Sequence, residues 1–142
     1  MTRRIVLLIA LLVPLATPAQ SLDSLLSMKD PFTGLMLSQL GVTENQAAGG
    51  IGSMLILAQE KLIKGDFDMV AQAVPGANKY MAQAKSLGAV TGPVKDMKGL
   101  QAAFGRLAMS PEMQSKFMPA VTNYIGKAGG PTVQKLLAGV FK

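Results

Sequence analysis

The sequence contains no cysteine, no histidine and no tryptophan. Without cysteine, the chain can form no disulfide framework and cannot be lipidated through an N-terminal cysteine. Without histidine or cysteine, histidine-relay, thiol and zinc-type catalytic sites are also excluded. The chain has no serine followed three residues later by lysine, and no glycine-rich phosphate-binding motif. These absences predict a protein without enzymatic activity.

Acidic residues are also few, eight in all, and the one close pair is Asp66-x-Asp68. A calcium-binding loop starting at Asp66 would need an oxygen ligand and a glycine where Val70 and Ala71 stand. We therefore interpret Asp66 as a helix cap and expect no metal site at this pair. No cofactor is expected.

Methionine is frequent, with ten in the chain, and Met109, Met113 and Met118 lie close together. Thioethers bind soft ions such as Cu(I), so copper handling is one interpretation of this cluster. Methionine is also an adaptable filler of cores and interfaces, and Met113 falls on an apolar helix stripe. We favour packing for all three.

Basic residues exceed acidic ones, with fourteen lysines and arginines. They are spread along the chain without a run, and no aromatic residues alternate with them to stack bases. The charge therefore predicts no nucleic-acid partner, and it leaves attraction to anionic lipid open.

The first nineteen residues have the pattern of an export signal. Two arginines precede an apolar run from Ile5 to Val13, and small residues lead up to Ala19. We predict a signal peptide over 1–19, cleaved between Ala19 and Gln20, and a periplasmic or secreted mature protein. The alternative is an uncleaved N-terminal anchor, although the apolar run is shorter than the roughly 20 residues that cross a bilayer.

The rest of the chain predicts an all-α fold, a compact bundle of six to seven short amphipathic helices without strands. Residues 20–30 are expected to be flexible or weakly helical, and residues 31–142 to form a single helical domain. Helix starts are predicted at Pro31, after Thr43, at Ser110-Pro111 and at Pro131, because hydroxyl caps and N1 prolines mark these positions.

The stretch after Thr43 is the strongest helix in the sequence. Thr43 and Gln46 form a capping box, and apolar or small residues cover two opposite faces up to Lys64. A helix of this kind lies between neighbours on both sides, so we predict a central helix over 43–64, stopped by Gly65. Asp66 should then cap a separate short helix.

The two halves of the chain resemble each other in outline. Leu40-x-x-Thr43 and Leu107-x-x-Ser110 stand 67 residues apart, and each precedes a long helix, a break and a short helix. Both duplication and chance similarity account for this pattern. It favours two packed helical hairpins.

Several segments resemble one family of bacterial proteins: QLGVTENQAAGGIG at 39–52, LAQEKL at 57–62, DF at 66–67 with VPG at 74–76, LAMSPEM at 107–113 and KFMP at 116–119. In order and spacing they are similar to the VcgC/VcgE family of exported proteins, domain of unknown function 2780. The resemblance implies a helical, exported protein, and it implies no catalytic or ligand-binding residue.

Two functional hypotheses follow from these observations. The first is a non-enzymatic module that binds another protein of the cell envelope, because broad, methionine-rich helix faces can repack against partners. The second is a peripheral protein whose lysine-bearing helices lie on an anionic membrane surface. The sequence leaves self-association open.

Overall fold

A computed structural model describes residues 31–141, and these residues form seven α-helices and no strand. This confirms the predicted all-α fold. The predicted signal peptide with its cleavage site at Ala19 and Gln20, and the segment 20–30, lie outside the described residues. The helices are α1 Pro31–Leu40, α2 Glu44–Lys61, α3 Lys64–Gln72, α4 Ala77–Ser86, α5 Met97–Arg106, α6 Pro111–Gly129 and α7 Pro131–Val140.

The boundary between two compact units falls between Gly34 and Leu35, inside α1. The unit from Leu35 onward contains α2 to α7. Its two most closely packed helix pairs are α2 with α4 and α6 with α7.

The central position of α2 is confirmed, because every residue from Ala47 to Ala58 is buried. Helices α3, α4, α5 and α7 all contact it. The one polar side chain in this stretch, Ser53, donates its hydroxyl hydrogen to the Gly49 carbonyl oxygen at 2.7 Å. Its hydrogen-bonding capacity is thereby used within the helix, so it can be buried at little cost.

Three glycines allow neighbours to approach α2 closely. A Cβ at Gly52 would overlap the Tyr80 carbonyl oxygen of α4 and lie 2.9 Å from the Ala84 Cβ. A Cβ at Gly50 would lie 2.7 Å from the Phe117 ring, and one at Gly49 would lie 2.7 Å from the end of the Leu107 side chain. Glycine is less favourable than alanine in a helix by about 1 kcal/mol per residue, and close packing offsets this cost here.

The end of α2 differs from the prediction. The helix stops at Lys61, and Leu62 is an extended C-cap whose N–H still donates to the Ala58 carbonyl oxygen. Gly65, the predicted stop, lies instead inside α3, and so does the predicted cap Asp66. Lys61 donates to the Val140 carbonyl oxygen at 3.3 Å, and this bond joins the end of α2 to the end of α7.

The 67-residue offset extends well beyond the two capping motifs. Helices α1, α2 and α3 begin and end within one residue of the positions that the offset assigns to α5, α6 and α7. The residues before the two long helices also correspond: Gly41 and Ala108 both have positive φ, and Val42 and Met109 are both buried. Helix α4 joins the two three-helix sets and has no counterpart within the described residues.

Gln46 connects these two capping motifs. Its side-chain oxygen accepts from the Thr43 N–H at 3.0 Å, and the Thr43 hydroxyl accepts from the Gln46 N–H at 3.1 Å, which confirms the capping box. The Gln46 amide nitrogen also donates to the carbonyl oxygens of Leu107 and Ala108, at 3.1 and 3.2 Å. One side chain therefore completes one cap and fixes the chain just before the other.

Ala108 is the one non-glycine residue with positive φ in the described part of the chain, at +62°. It ends α5 through bonds from the Ala108 N–H to the Gly105 carbonyl oxygen and from the Met109 N–H to the Phe104 carbonyl oxygen. This pattern is the Schellman motif, in which glycine usually holds the left-handed position. Alanine there pays about 1–2 kcal/mol of steric strain.

We expect Ala108→Gly to raise the free energy of unfolding by about 0.5–1 kcal/mol, because relief of this strain exceeds the entropy that glycine loses on folding. Urea denaturation measures the change. The matched control is Ala102→Gly, at an exposed position inside α5, where we expect a loss of about 1 kcal/mol. Equal destabilisation by both substitutions would contradict the strain at Ala108.

The last two helices largely follow the sequence pattern. On α6 the side chains of Phe117, Val121 and Ile125 are buried at the spacing of one helix face, while Ala128 near the helix end is exposed. The predicted cap Ser110 accepts from the Met113 N–H at 3.2 Å. Both helices begin with a proline in the first turn.

Candidate functional site

Three large hydrophobic side chains are exposed among residues 31–141: Ile63, Met69 and Leu87. Leu87 is in contact with the core, because its Cδ1 lies 3.3 Å from the position of a Cβ at Gly49. Ile63 and Met69 belong to α3 and its N-cap, and they are 73% and 39% exposed. Ile63, at the start of α3, is therefore the most exposed large hydrophobic side chain of residues 31–141, and Met69 is about as exposed as Leu87.

The early end of α2 is what exposes Ile63. Had α2 continued to Lys64 as predicted, Ile63 would lie on its second apolar face. Instead Ile63 is the extended N-cap of α3, with φ −67° and ψ 159°, and its carbonyl oxygen accepts from the Phe67 N–H at 2.9 Å. Its backbone is fixed by α3 while its side chain extends into solvent.

The opposite face of α3 holds the helix in place. Phe67 and Val70 are buried, and α3 contacts α2, α4, α6 and α7. On the exposed side Lys64 pairs with Asp68 at 3.0 Å, one helical turn away. Exposed pairs of this kind contribute about 0.3–0.5 kcal/mol, so the anchoring comes mainly from the two buried side chains.

An open groove of about 440 Å³ lies where α3 turns into α4. Gly76, with φ +78°, makes this turn and caps α4, since its carbonyl oxygen accepts from the N–H groups of Lys79 and Tyr80. The groove is lined by Asp68, Ala71, Gln72, Val74, Pro75, Gly76, Ala77 and Asn78. We call this groove together with Ile63 and Met69 the α3 surface.

The α3 surface offers apolar contact and amide hydrogen bonds. Ala71, Val74 and Pro75 give the groove an apolar side, and Gln72 and Asn78 supply donors and acceptors. Its one charged lining residue, Asp68, is already paired with Lys64. This chemistry suits the binding of an extended or helical peptide segment with an apolar anchor.

The acidic pair of the sequence lies on this same helix. Asp66 is in the first turn of α3, and not at the cap position that the sequence predicted. In the first turn, the negative charge of a carboxylate interacts favourably with the helix dipole. The start of α3 at Lys64 explains the difference. Across the described residues, no three carboxylates come close enough together to hold a metal ion.

The three methionines near residue 113 lie in the core or at its edge. Met109 is buried, and its Cε lies 2.9 Å from the position of a Cβ at Gly50. Met113 and Met118 are half-buried on α6. Their positions accord with the packing interpretation.

The sequence did not single out Ile63 or Met69. Ile63 falls in an apolar pattern that predicts burial. Met69 stands in a polar stretch, where a single methionine does not indicate an apolar surface. The signal that would have found them is the helix break after Lys61, and no glycine or proline marks that break. None of the helices within 31–141 is long and apolar enough to cross a membrane.

Residues 31–141 are all-helical outside their loops, and Ile63 beside α3 is their most exposed large hydrophobic side chain. The family described as protein of unknown function VcgC/VcgE, domain of unknown function 2780, matches residues 16–140. The chain therefore belongs to the VcgC/VcgE family. No curated protein and no solved structure matches the chain.

Proposed function

We propose that this chain is an exported, non-enzymatic module that binds another protein of the cell envelope through the α3 surface. The observation that carries the proposal is the exposure of Ile63 on a turn held between two helices. Single exposed apolar residues are common on protein surfaces. Here, however, Met69 and an open groove lie on the same short helix, which together give a partner an anchor and a recess.

The anchoring of α3 supports this proposal. Because Phe67 and Val70 are buried against the rest of the bundle, α3 presents its outer side in a fixed orientation. A surface that is already ordered loses little conformational entropy when a partner binds. Such a surface therefore needs only a few apolar contacts to reach a useful affinity.

The envelope location rests on the pattern of residues 1–19. In this proposal the signal peptide is removed between Ala19 and Gln20, and the mature chain carries twelve basic against eight acidic side chains, a net charge of +4. The uncleaved N-terminal anchor remains the alternative form of the same location.

Site-specific photo-crosslinking in living cells tests the proposal. A full-length, C-terminally tagged chain carries a photoreactive amino acid at position 63, and in a matched control at position 123, an exposed residue of α6. We expect an adduct of one defined size from position 63 and none from position 123. Sequencing of the purified bait should give Gln20 as its first residue.

The substitution Ile63→Ser makes the test specific. With the photoreactive group at position 69, we expect Ile63→Ser to reduce the adduct about tenfold, the effect of losing a contact worth about 1.4 kcal/mol. The melting temperature should change little, because the Ile63 side chain is largely in solvent. An adduct of equal yield from positions 63 and 123 would contradict a role for the α3 surface.

A second candidate function is peripheral binding to an anionic membrane surface. The described residues contain ten basic and six acidic side chains and only one ion pair, Lys64–Asp68, so most of the lysines are available to lipid phosphates. Flotation with anionic liposomes at low salt, lost at high salt, would support this candidate. No flotation at low salt would exclude it.

A further inference from the structure

Methionine exposure within the described chain is sharply uneven. Met69 is the one exposed methionine of the eight in residues 31–141. The others are buried or half-buried: Met36, Met54, Met81, Met97, Met109, Met113 and Met118. Oxidation of a thioether requires access of the oxidant to sulfur, so these positions differ in reactivity.

Met69 also occupies a particular place on α3. It stands between Asp68 and Gln72, both of which line the groove, and six residues after Ile63. At a rise of about 1.5 Å per residue, this puts Met69 roughly 9 Å along the axis from Ile63. Residues three apart are neighbours on a helix surface, so Met69 lies beside Gln72 at the edge of the groove, and a change in its polarity falls next to that groove.

Met69 contributes little to the core. The burial of α3 depends on Phe67 and Val70, whereas Met69 is on the outer side. Modification of Met69 therefore alters the surface, while Phe67 and Val70 continue to hold the helix in place. Oxidation of Met36 or Met54, which are at most 1% exposed, would instead require the bundle to open.

We propose that Met69 is an oxidation site through which hydrogen peroxide switches off binding at the α3 surface, an inference that rests on the proposed function. The Met69 sulfur takes the terminal oxygen of a peroxide, the O–O bond breaks, an S–O bond forms and water leaves when the oxidant is hydrogen peroxide. Sulfur is oxidised and peroxide reduced. The product replaces a flexible apolar group by a polar sulfoxide, and thiol-dependent sulfoxide reductases reverse the change.

The first measurement needs no partner. The full chain is treated with increasing hydrogen peroxide, and the sulfoxide content of each methionine-containing peptide is quantified by mass spectrometry. We expect Met69 to be oxidised at least about tenfold faster than Met54, with no loss of helical circular dichroism while Met69 alone reacts. Equal rates at the two positions, or unfolding that accompanies the oxidation of Met69, would overturn the proposal.

The second measurement tests whether oxidation of Met69 weakens binding at the α3 surface. Crosslinking from position 63 is repeated after this mild oxidation, on the otherwise native chain and on Met69→Leu, which keeps the apolar volume and cannot form a sulfoxide. We expect oxidation to reduce the yield of the adduct about tenfold in the native chain. In Met69→Leu, the yield after oxidation should equal the yield of the same variant before oxidation. Reduction of the sulfoxide should restore the adduct.

The outcomes separate the two proposals. If untreated protein gives no adduct from position 63, the proposed function fails, whatever the oxidation rates. If untreated protein gives the adduct and oxidation of Met69 leaves it unchanged, the binding surface stands and the switch is overturned. The switch is also overturned if oxidation reduces the adduct of Met69→Leu as strongly as that of the native chain.

Discussion

Gly52→Ala is expected to lower the free energy of unfolding by at least about 3 kcal/mol, at the upper end of the range for overpacked cores. The added methyl group would overlap the Tyr80 carbonyl oxygen, which belongs to the backbone of α4 and cannot rotate away. Helices α2 and α4 would have to separate, and this is the most extensive helix contact of the fold. The gain of about 1 kcal/mol in helix propensity does not compensate.

Urea denaturation followed by circular dichroism measures this effect against two matched substitutions. Gly105→Ala adds the same methyl group inside α5, where no atom lies within 4 Å, and should stabilise the protein by about 0.5–1 kcal/mol. Gly49→Ala meets only the flexible ends of the Leu107 and Leu87 side chains and should cost less than Gly52→Ala. If Gly52→Ala matches Gly105→Ala, the close crossing of α2 and α4 is refuted.

Phe117→Ala is expected to cost about 3–5 kcal/mol, as large-to-small substitutions of buried aromatic residues do. The Phe117 side chain is fully buried, and its ring packs over Gly50 of α2. Phe104 meets the same ring edge-on, with centroids 5.7 Å apart and planes at 75°. The loss therefore combines a cavity with a broken aromatic pair.

A double-mutant cycle with Phe104→Ala separates the two contributions. We expect a coupling energy of about 0.5–1.5 kcal/mol between the rings, beyond the cost of the cavities. Phe117→Leu serves as control, because it keeps most of the apolar volume and removes the aromatic contact. Strictly additive losses would show that the edge-on contact contributes nothing.

Local capping chemistry made most helix starts predictable from the sequence. The Thr43 and Ser110 hydroxyls bond the expected N–H groups, and Pro31 and Pro131 stand in the first turns of their helices. Each of these signals depends on a few neighbouring residues, so it needs no knowledge of the tertiary structure.

The break between α2 and α3 was not predictable in the same way. Leu62 and Ile63 are both compatible with a helix, and Gly65, which predicts a stop, is tolerated inside α3. The break is stabilised by distant groups, namely the burial of Phe67 and Val70 and the bond from Lys61 to Val140. Tertiary packing overrides local preference here.

The α3 surface was hidden from the sequence for a related reason. An isoleucine in an apolar pattern predicts core, whereas the early end of α2 leaves Ile63 in solvent. The left-handed conformation of Ala108 could not be predicted either, because glycine is the residue that usually indicates it in a sequence. Patterns identify which side chains are apolar, whereas the assembled fold decides which are covered.

The long helices of the two three-helix sets, α2 and α6, differ in how their corresponding faces are covered. On α2, Gly52 is covered by α4 and Gly49 by the side chains of Leu107 and Leu87, whereas the corresponding residues of α6, Pro119 and Lys116, are exposed. The two long helices are therefore not interchangeable. Side chains like those of Lys116 and Pro119, placed at Gly49 and Gly52, would overlap Leu107 and the Tyr80 carbonyl oxygen.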